Sequence, residues 1–178
     1  MGDLKDAVVL VNEQDEMVGT MDKLEAHRQG RLHRAFSVFL FVAHGRLLMQ
    51  QRAPDKYHSA GLWTNTCCSH PRNGEPTAAA ARRRLMEEMG IALSPDFAFT
   101  FIYRAEVGDG LIEHELDHVF IHRYSGEVDH DPAEVSTHAW VDPEELTQDL
   151  NERPHRYTAW LHVCWPRVRE HFQRTLRT

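Results

Sequence analysis

Apolar positions in this chain alternate with polar ones in some stretches, run together in others, and elsewhere recur every three to four residues. Residues 7–12 and 16–21 read as two short strands about a polar turn. Residues 36–43, Phe-Ser-Val-Phe-Leu-Phe-Val-Ala, are apolar throughout except for Ser37 and rich in β-formers, the pattern of a buried strand. His44-Gly45 is a turn signal, and residues 46–52 are expected to return beside that strand as its hairpin partner. Residues 62–68 read as extended. The clearest helix covers 76–89, with Pro76 at its first position, strong helix formers within and Gly90 just past its end. Residues 97–107 and 113–124 read as strands joined through Gly-Asp-Gly, and 139–141 as a short strand. Asp142-Pro143 opens a helix, and 156–176 is a last helix in which Trp160, Leu161, Cys164, Val168 and Phe172 fall at helical spacing. Strands and helices mix without regular βαβ alternation, so the pattern predicts an α+β sandwich with helices on a mixed sheet.

Composition narrows the setting. The chain has 178 residues, 42% apolar and 26% charged, which suits one folded domain over 1–178; no repeat, low-complexity tract or linker divides it. Twenty basic against 27 acidic residues give a net charge of −7. That argues against a general nucleic-acid or membrane-surface binder while leaving room for a small anion in a local basic pocket. The first residues, MGDLKDAVVLVNEQDE, lack the basic flank and long apolar run of a signal peptide and the sixth-position Ser or Thr that myristoylation prefers. The apolar run over 35–43 is too short to span a bilayer. Three cysteines, Cys67, Cys68 and Cys164, two of them adjacent, do not make a disulfide framework and point to a reducing cytoplasm. Histidine, at 13 residues, stands out and raises the expectation of a metal site.

Four stretches carry candidate chemistry: His27 with His33; Trp63-Thr-Asn-Thr-Cys-Cys-Ser-His-Pro71; the helix bearing Arg82, Arg83, Arg84, Glu87 and Glu88; and Glu113-His-Glu115. In extended backbone alternate residues share a face, so Cys68 points with His70 and Glu113 with Glu115, while Cys67 points away from Cys68 and His114 away from both carboxylates. A thiol, an imidazole and two carboxylates are costly to bury together without a cation or a catalytic purpose. With His27 and His33 the set offers three imidazoles and two carboxylates, which suits Mn, Fe, Zn or Mg and leaves one octahedral position open. The plainer alternative makes His27 and His33 loop histidines and the carboxylates solvated. Cys67-Cys68 lacks the spacing that lets two thiolates chelate zinc. Lys23, Arg52, Lys56, Arg83 and Arg84 read equally as solvated charges, and Arg84 with Glu88 as an i, i+4 ion pair. Trp160 reads first as core by its spacing, and Tyr103, in a β-rich run, carries the same ambiguity.

Lys23-x3-His27, Arg31-Leu-His33-x-Ala35-Phe36, Trp63-Thr-Asn-Thr-Cys-Cys-Ser-His-Pro71, Glu113-x-Glu115 and the late Trp160 together resemble the type I isopentenyl-diphosphate Δ-isomerases, over nearly the whole chain. That family has the Nudix fold, an α/β/α sandwich. Laid on the Nudix box, G-x5-E-x7-R-E-U-x-E-E-x-G-U, the chain has Glu75, Arg83, Leu85, Glu87, Glu88, Gly90 and Ile91 in register, Ser69 for the first glycine and Arg84 for the middle glutamate. In Nudix hydrolases that glutamate helps hold the metal that drives attack of water. Arginine in its place inverts the charge and favours binding a phosphate over hydrolysing it.

The resemblance implies roles. His27, His33, His70, Glu113 and Glu115 would ligate a divalent ion, Mn2+ or Zn2+; Glu88 would help hold a Mg2+ shared with the substrate diphosphate. Lys23, Arg52, Lys56 and Arg84 would bind that diphosphate. Cys68 and Glu115 would be the acid–base pair, Tyr103 would assist the acid, and Trp160 would face the hydrocarbon. The implied reaction is isomerisation of isopentenyl diphosphate to dimethylallyl diphosphate in isoprenoid biosynthesis, by a cytoplasmic monomer or weak homodimer with small-molecule partners only. The competing readings are a Nudix hydrolase of a nucleoside diphosphate derivative and a non-catalytic domain on the same scaffold.

Overall fold

In the computed structural model, which describes residues 6–176 and only the backbone of Leu176, the other strands are arranged around β3 (His33–Phe41). Its run of apolar residues is buried on both faces. Phe36, Val38 and Leu40 pack under α2 (Thr77–Met89) with Cys67, Leu85 and Met89. Phe39 and Phe41 pack with Val119, Leu161, Cys164 and Val168 beneath α3 (Pro143–Glu152) and α4 (Ala159–Leu176). Enclosing each such side chain contributes about 1.5–3 kcal/mol, so one continuous apolar strand holds two helical layers to the sheet. The expected α/β/α sandwich with a mixed sheet is the observed architecture.

Beside β3 runs β8 (Leu111–Arg123), parallel, in a register that sets His33 against Glu115 and Ser37 against Val119. β7 (Asp96–Gly108) pairs antiparallel with β8 and sets Tyr103 opposite Glu115. The turn between them is Gly108-Asp109-Gly110, all three with φ between +52° and +95°, which is why glycine flanks it. β1 (Ala7–Val11) and β2 (Met17–Asp22) form the expected hairpin, and β1 meets β3 at Leu10–His33.

The structure departs from the sequence reading at several places. Residues 46–52 form β4 (Leu47–Arg52), but it touches β3 only at Phe41–Leu47 and then diverges to pair along its length with β9 (Val135–Val141). The wedge is residues 65–66. Thr66 Oγ1 donates to the Leu48 carbonyl at 2.7 Å and accepts from the Leu40 amide at 2.9 Å, while Asn65 Nδ2 donates to the Val38 carbonyl at 3.1 Å. Side chains thus replace the backbone ladder between β3 and β4. For the same reason residues 62–68 are two strands, β5 (Trp63–Thr64) on β4 and β6 (Cys67–Ser69) on β3. A short helix absent from the sequence reading, α1 (Lys23–Gln29), is capped by Asp22, whose side chain accepts from the Glu25 amide, and ends at Gly30 with φ +60°. Hence His27 is helical and fully buried, and His33 is the first residue of β3, not loop histidines. Pro76 caps α2 from outside, β9 starts four residues earlier than expected, and α4 starts at Ala159 after a 3-10 turn, Pro154–Arg156. No helix among the described residues is long and apolar enough to cross a membrane. Residues 1–5, which carry much of the N-terminal reading, and 177–178 lie outside the described residues.

Candidate active site

The β3–β8 register places His33, Ser37, Glu115 and Asp117 on one face, and the β7–β8 register adds Tyr103. β6 lies against β3 with Cys68 opposite Ser37, so the Cys68 side chain faces the same side while Cys67 sits in the core under α2. Over this face hang α1, which brings His27, and the start of α4, which brings Trp160.

The imidazoles are oriented from behind. His27 Nδ1 donates to the Lys23 carbonyl at 2.7 Å and His33 Nδ1 to the Arg31 carbonyl at 2.8 Å. A carbonyl can only accept, so in each ring Nδ1 carries a proton, and the lone pair of the neutral ring is on the inward Nε2. His70 Nε2 lies 3.2 Å from His33 Nε2 and 3.0 Å from Glu115 Oε1, and His33 Nε2 lies 3.4 Å from the same oxygen. One donor atom from each of His27, His33, His70 and Glu115 falls within a 4.8 Å cluster. His27 Nε2 is buried with no hydrogen-bond partner, an omission that costs about 1–3 kcal/mol unless a cation takes the lone pair. The donor set and that orphaned nitrogen fit a divalent ion.

Glu113 stands slightly apart. It groups with His27 and His58, its Oε1 3.5 Å from His58 Nε2. Tyr103 bridges the two carboxylates, its hydroxyl 2.7 Å from Glu115 Oε2 and 3.0 Å from Glu113 Oε2. Burial and the neighbouring Glu115 charge hold the Glu113 carboxyl well above the usual carboxylate range. Burial acts on Glu115 in the same direction, but the His33 and His70 rings beside its Oε1 outweigh it and hold Glu115 well below. Burial keeps His70 and His58 neutral, lowering them to about 4 and about 3. Two neighbouring glutamates pushed in opposite directions from the ordinary carboxylate value are a pattern of acid–base sites.

One cavity runs from these carboxylates to Cys68 and Trp160 and on to Lys23, Arg52, Lys56 and Arg84. Lys23, Lys56 and Arg84 lie together on one side of it with Glu87 and Glu134, while Arg52 lies by Trp160. Arg84 bonds Glu88 at 2.6 Å, Glu87 at 2.7 Å and Glu134 at 3.2 Å; Lys56 pairs with Glu134; and Gln50 Nε2 donates to Glu88 at 2.9 Å. The sequence-predicted i, i+4 pair of Arg84 and Glu88 is therefore present, inside the cavity wall. Glu88 lies with these cations and outside both donor groups, which separates it from the other five predicted ligands. Arg83 turns away to Glu75, with two bonds of 2.7 and 2.9 Å.

Burial raises the Cys68 thiol well above its ordinary value. The Arg52 guanidinium lies 5.2 Å from the Trp160 ring centre, and the indole Nε1 donates to Asn65 Oδ1 at 3.1 Å. Every predicted site residue is brought to this face or its immediate wall. Sequence reasoning missed His58, Tyr57, Ser37, Gln50, Asn65 and Asp117. Asn65 lay within the motif but was given no role; His58 was one histidine among 13 with no pattern around it.

A NUDIX domain model matches residues 31–161. Isopentenyl-diphosphate Delta-isomerase 1 of Aromatoleum aromaticum is 54% identical over 165 residues, 93% of each chain. Isopentenyl-diphosphate Delta-isomerase of Serratia proteamaculans is 46% identical over 157 residues, 88% of each. Among solved structures, DR0079 from Deinococcus radiodurans superposes with a TM-score of 0.76 at 23% identity, over 90% of this chain and 98% of that one. A MutT NUDIX hydrolase from Burkholderia pseudomallei superposes with a TM-score of 0.61 at 22% identity, over 77% and 98%. These two likenesses bear on the fold alone.

Proposed function

This chain belongs to the isopentenyl-diphosphate Delta-isomerase family, on the Nudix fold, and from that premise we propose that it moves the double bond of isopentenyl diphosphate by proton transfer between Glu115 and Cys68. The product is dimethylallyl diphosphate. The observation that carries the reading is one cavity lined by a thiol, a carboxylate on a tyrosine hydroxyl, an indole and four cations.

An unactivated alkene is a weak base, and protonating C4 creates a tertiary carbocation at C3 that water would trap. The acid is Glu115 with Tyr103: the proton rests on the Tyr103 hydroxyl, which donates to Glu115 at 2.7 Å, and passes to C4 through this pair. The base that takes the C2 proton is Cys68. Burial raises its thiol, and the Arg52 guanidinium in the same cavity acts in the opposite direction, towards the thiolate. Trp160 faces the cation; a desolvated indole contributes on the order of 2 kcal/mol, and it already holds the Arg52 guanidinium at cation–π distance. Lys23, Arg52, Lys56 and Arg84 grip the diphosphate and so position the alkene between acid and base. Exchanging acid and base leaves the residue list unchanged.

A divalent ion, Mn2+ or Zn2+ by the donor set, would be held by His27, His33, His70, Glu113 and Glu115 and would orient the Glu115 carboxyl and tune its acidity, and a Mg2+ held at Glu88 would neutralise diphosphate oxygens. A free thiol in the base role suits a reducing compartment, the cytoplasm. Arg84, where a hydrolase box has a carboxylate, disfavours water activation at that position.

The test is proton NMR in D2O with isopentenyl diphosphate, Mg2+ and Mn2+. Dimethylallyl signals with deuterium entering the methyl group are expected. Intact substrate beside metal-loaded protein overturns the reading.

A further inference from the structure

The donors form two groups that share a single atom. His27, His33, His70 and Glu115 are one, and His27, His58 and Glu113 the other. His27 has only Nε2 to give, because Nδ1 is committed to the Lys23 carbonyl. One lone pair serves one ion, so the two groups cannot hold an ion each on His27, and an ion on that nitrogen has donors of both groups beside it.

We propose that His58 is a ligand of this ion, the fourth imidazole and sixth protein donor of the centre. Nothing in the motif that identifies the family includes it. The inference rests on the reading of the His/Glu cluster as a divalent-metal centre.

Distances favour coordination over hydrogen bonding. With metal–nitrogen bonds of about 2.1 Å, donors at right angles on one ion lie about 3.0 Å apart and opposed donors about 4.2 Å. His58 Nε2 to Glu113 Oε1, at 3.5 Å, falls between these limits, as do His33–Glu115 at 3.4 Å and His33–His70 at 3.2 Å. A hydrogen bond from that nitrogen to a carboxylate would be expected at about 2.7–2.9 Å. The ring is also held for the purpose. It is buried, its Nδ1 is engaged by Ser59 Oγ at 3.1 Å, and its own carbonyl accepts from Arg52 Nη2 at 3.1 Å, which pins the loop after β4. Its plane is tilted 33° from that of His27, with ring centres 5.7 Å apart. Six protein donors would fill an octahedral shell once the two groups, which do not all lie within 4.8 Å of one another, draw in on one ion. The ion would then act on Glu115 without touching substrate.

The test counts nitrogens. The full chain, labelled with 15N in its histidine rings, is loaded with 113Cd2+ and the imidazole nitrogens coupled to cadmium are counted. Four are expected in the wild type and three in His58→Gln, with the Nε2 signals of His27, His33 and His70 retained. Three in the wild type overturn the assignment of His58 alone. Absence of cadmium coupling at any histidine overturns the metal centre together with it. Affinity is a poorer readout, because losing a residue that merely orients a ligand also weakens metal binding about 10–100-fold. The wild-type count needs no variant, so it stands even if His58→Gln fails to fold.

Discussion

Trp160 is fixed by Asn65: the indole Nε1 donates to the amide Oδ1 at 3.1 Å, and the same fully buried amide donates through Nδ2 to the Cys67 carbonyl at 2.8 Å. One side chain therefore sets the distance between the aromatic wall and the strand that carries Cys68. All four of its hydrogen-bonding positions are used, the others by Thr64 Oγ1 and the Val38 carbonyl. Asn65→Asp keeps the shape but turns an acceptor against two carbonyls. The expected result is a stability loss of about 2–4 kcal/mol, from two lost donors and repelling oxygens, measured by urea unfolding. Among molecules that fold, kcat should fall about tenfold or more while KM moves little, since the diphosphate grip is elsewhere. An unchanged kcat would leave Asn65 a purely structural residue.

Cys67 and Cys68 test the face assignment directly. Cys67 is enclosed with Val38, Leu85 and Met89, whereas Cys68 lines the cavity. Cys67→Ala should cost about 1 kcal/mol of stability, as a small core truncation does, and leave turnover near wild type. Cys68→Ser should lower kcat by about a thousandfold or more and leave metal content unchanged, because a hydroxyl is a far weaker base than a thiolate. Metal analysis and the deuterium assay on both variants check this. Near-normal turnover in Cys68→Ser would remove the thiol from the mechanism.

These assignments also show what the sequence made legible. β3 and α2 were readable because their signals are local: an apolar run in one, helix formers closed by Gly90 in the other. Alternation correctly separated Cys67 from Cys68 and His114 from its neighbours, His114 Nδ1 donating outward to the Gly30 carbonyl at 3.0 Å. The divergence of β3 and β4 was not readable, because Thr66 bonds Leu40 and Leu48, 26 and 18 residues away. α1 was missed although Asp22 and Gly30 are good caps; seven residues are too few to show a periodic face. The convergence of His27 with Glu115 spans almost half the chain and leaves no local trace; the donor types raised it as one of two readings, and only the resemblance favoured it. His58, outside the resembling motifs, had neither kind of signal.

Metal should stabilise the fold through Glu115. An ion that binds the native cluster and not the unfolded chain adds RT ln(1 + [L]/Kd), about 2.7 kcal/mol at one hundred times Kd. Chelator-treated protein is therefore expected to melt lower, by about 5–11 °C for a chain of this size, and to recover on titration with Mn2+. Glu115→Gln removes a carboxylate on which His33 and His70 converge and should lose that gain together with activity. A variant that still gains its full increment from Mn2+ would take Glu115 out of the ligand set.

Asp117 gives the chain a pH dependence of its own. It points to the same face as Glu115, fully buried, with Oδ2 accepting from Ser37 Oγ at 2.7 Å and Oδ1 without a partner. Burial, aided by the Glu115 charge, raises its carboxyl to about 8. Its folded value is thus above its unfolded value of 3.8, so between the two the native state holds a proton that the unfolded chain has released. The stability linked to it is complete below pH about 4 and is lost as pH rises towards 8, at a slope approaching ~1.4 kcal/mol per pH unit. Asp117→Asn keeps an acceptor for Ser37 and cannot ionise. In metal-free protein it should match the wild type at about pH 4 and melt progressively higher than it from pH 5 to 8. Parallel melting curves for the two proteins across that range would show that Asp117 is ionised in the native state.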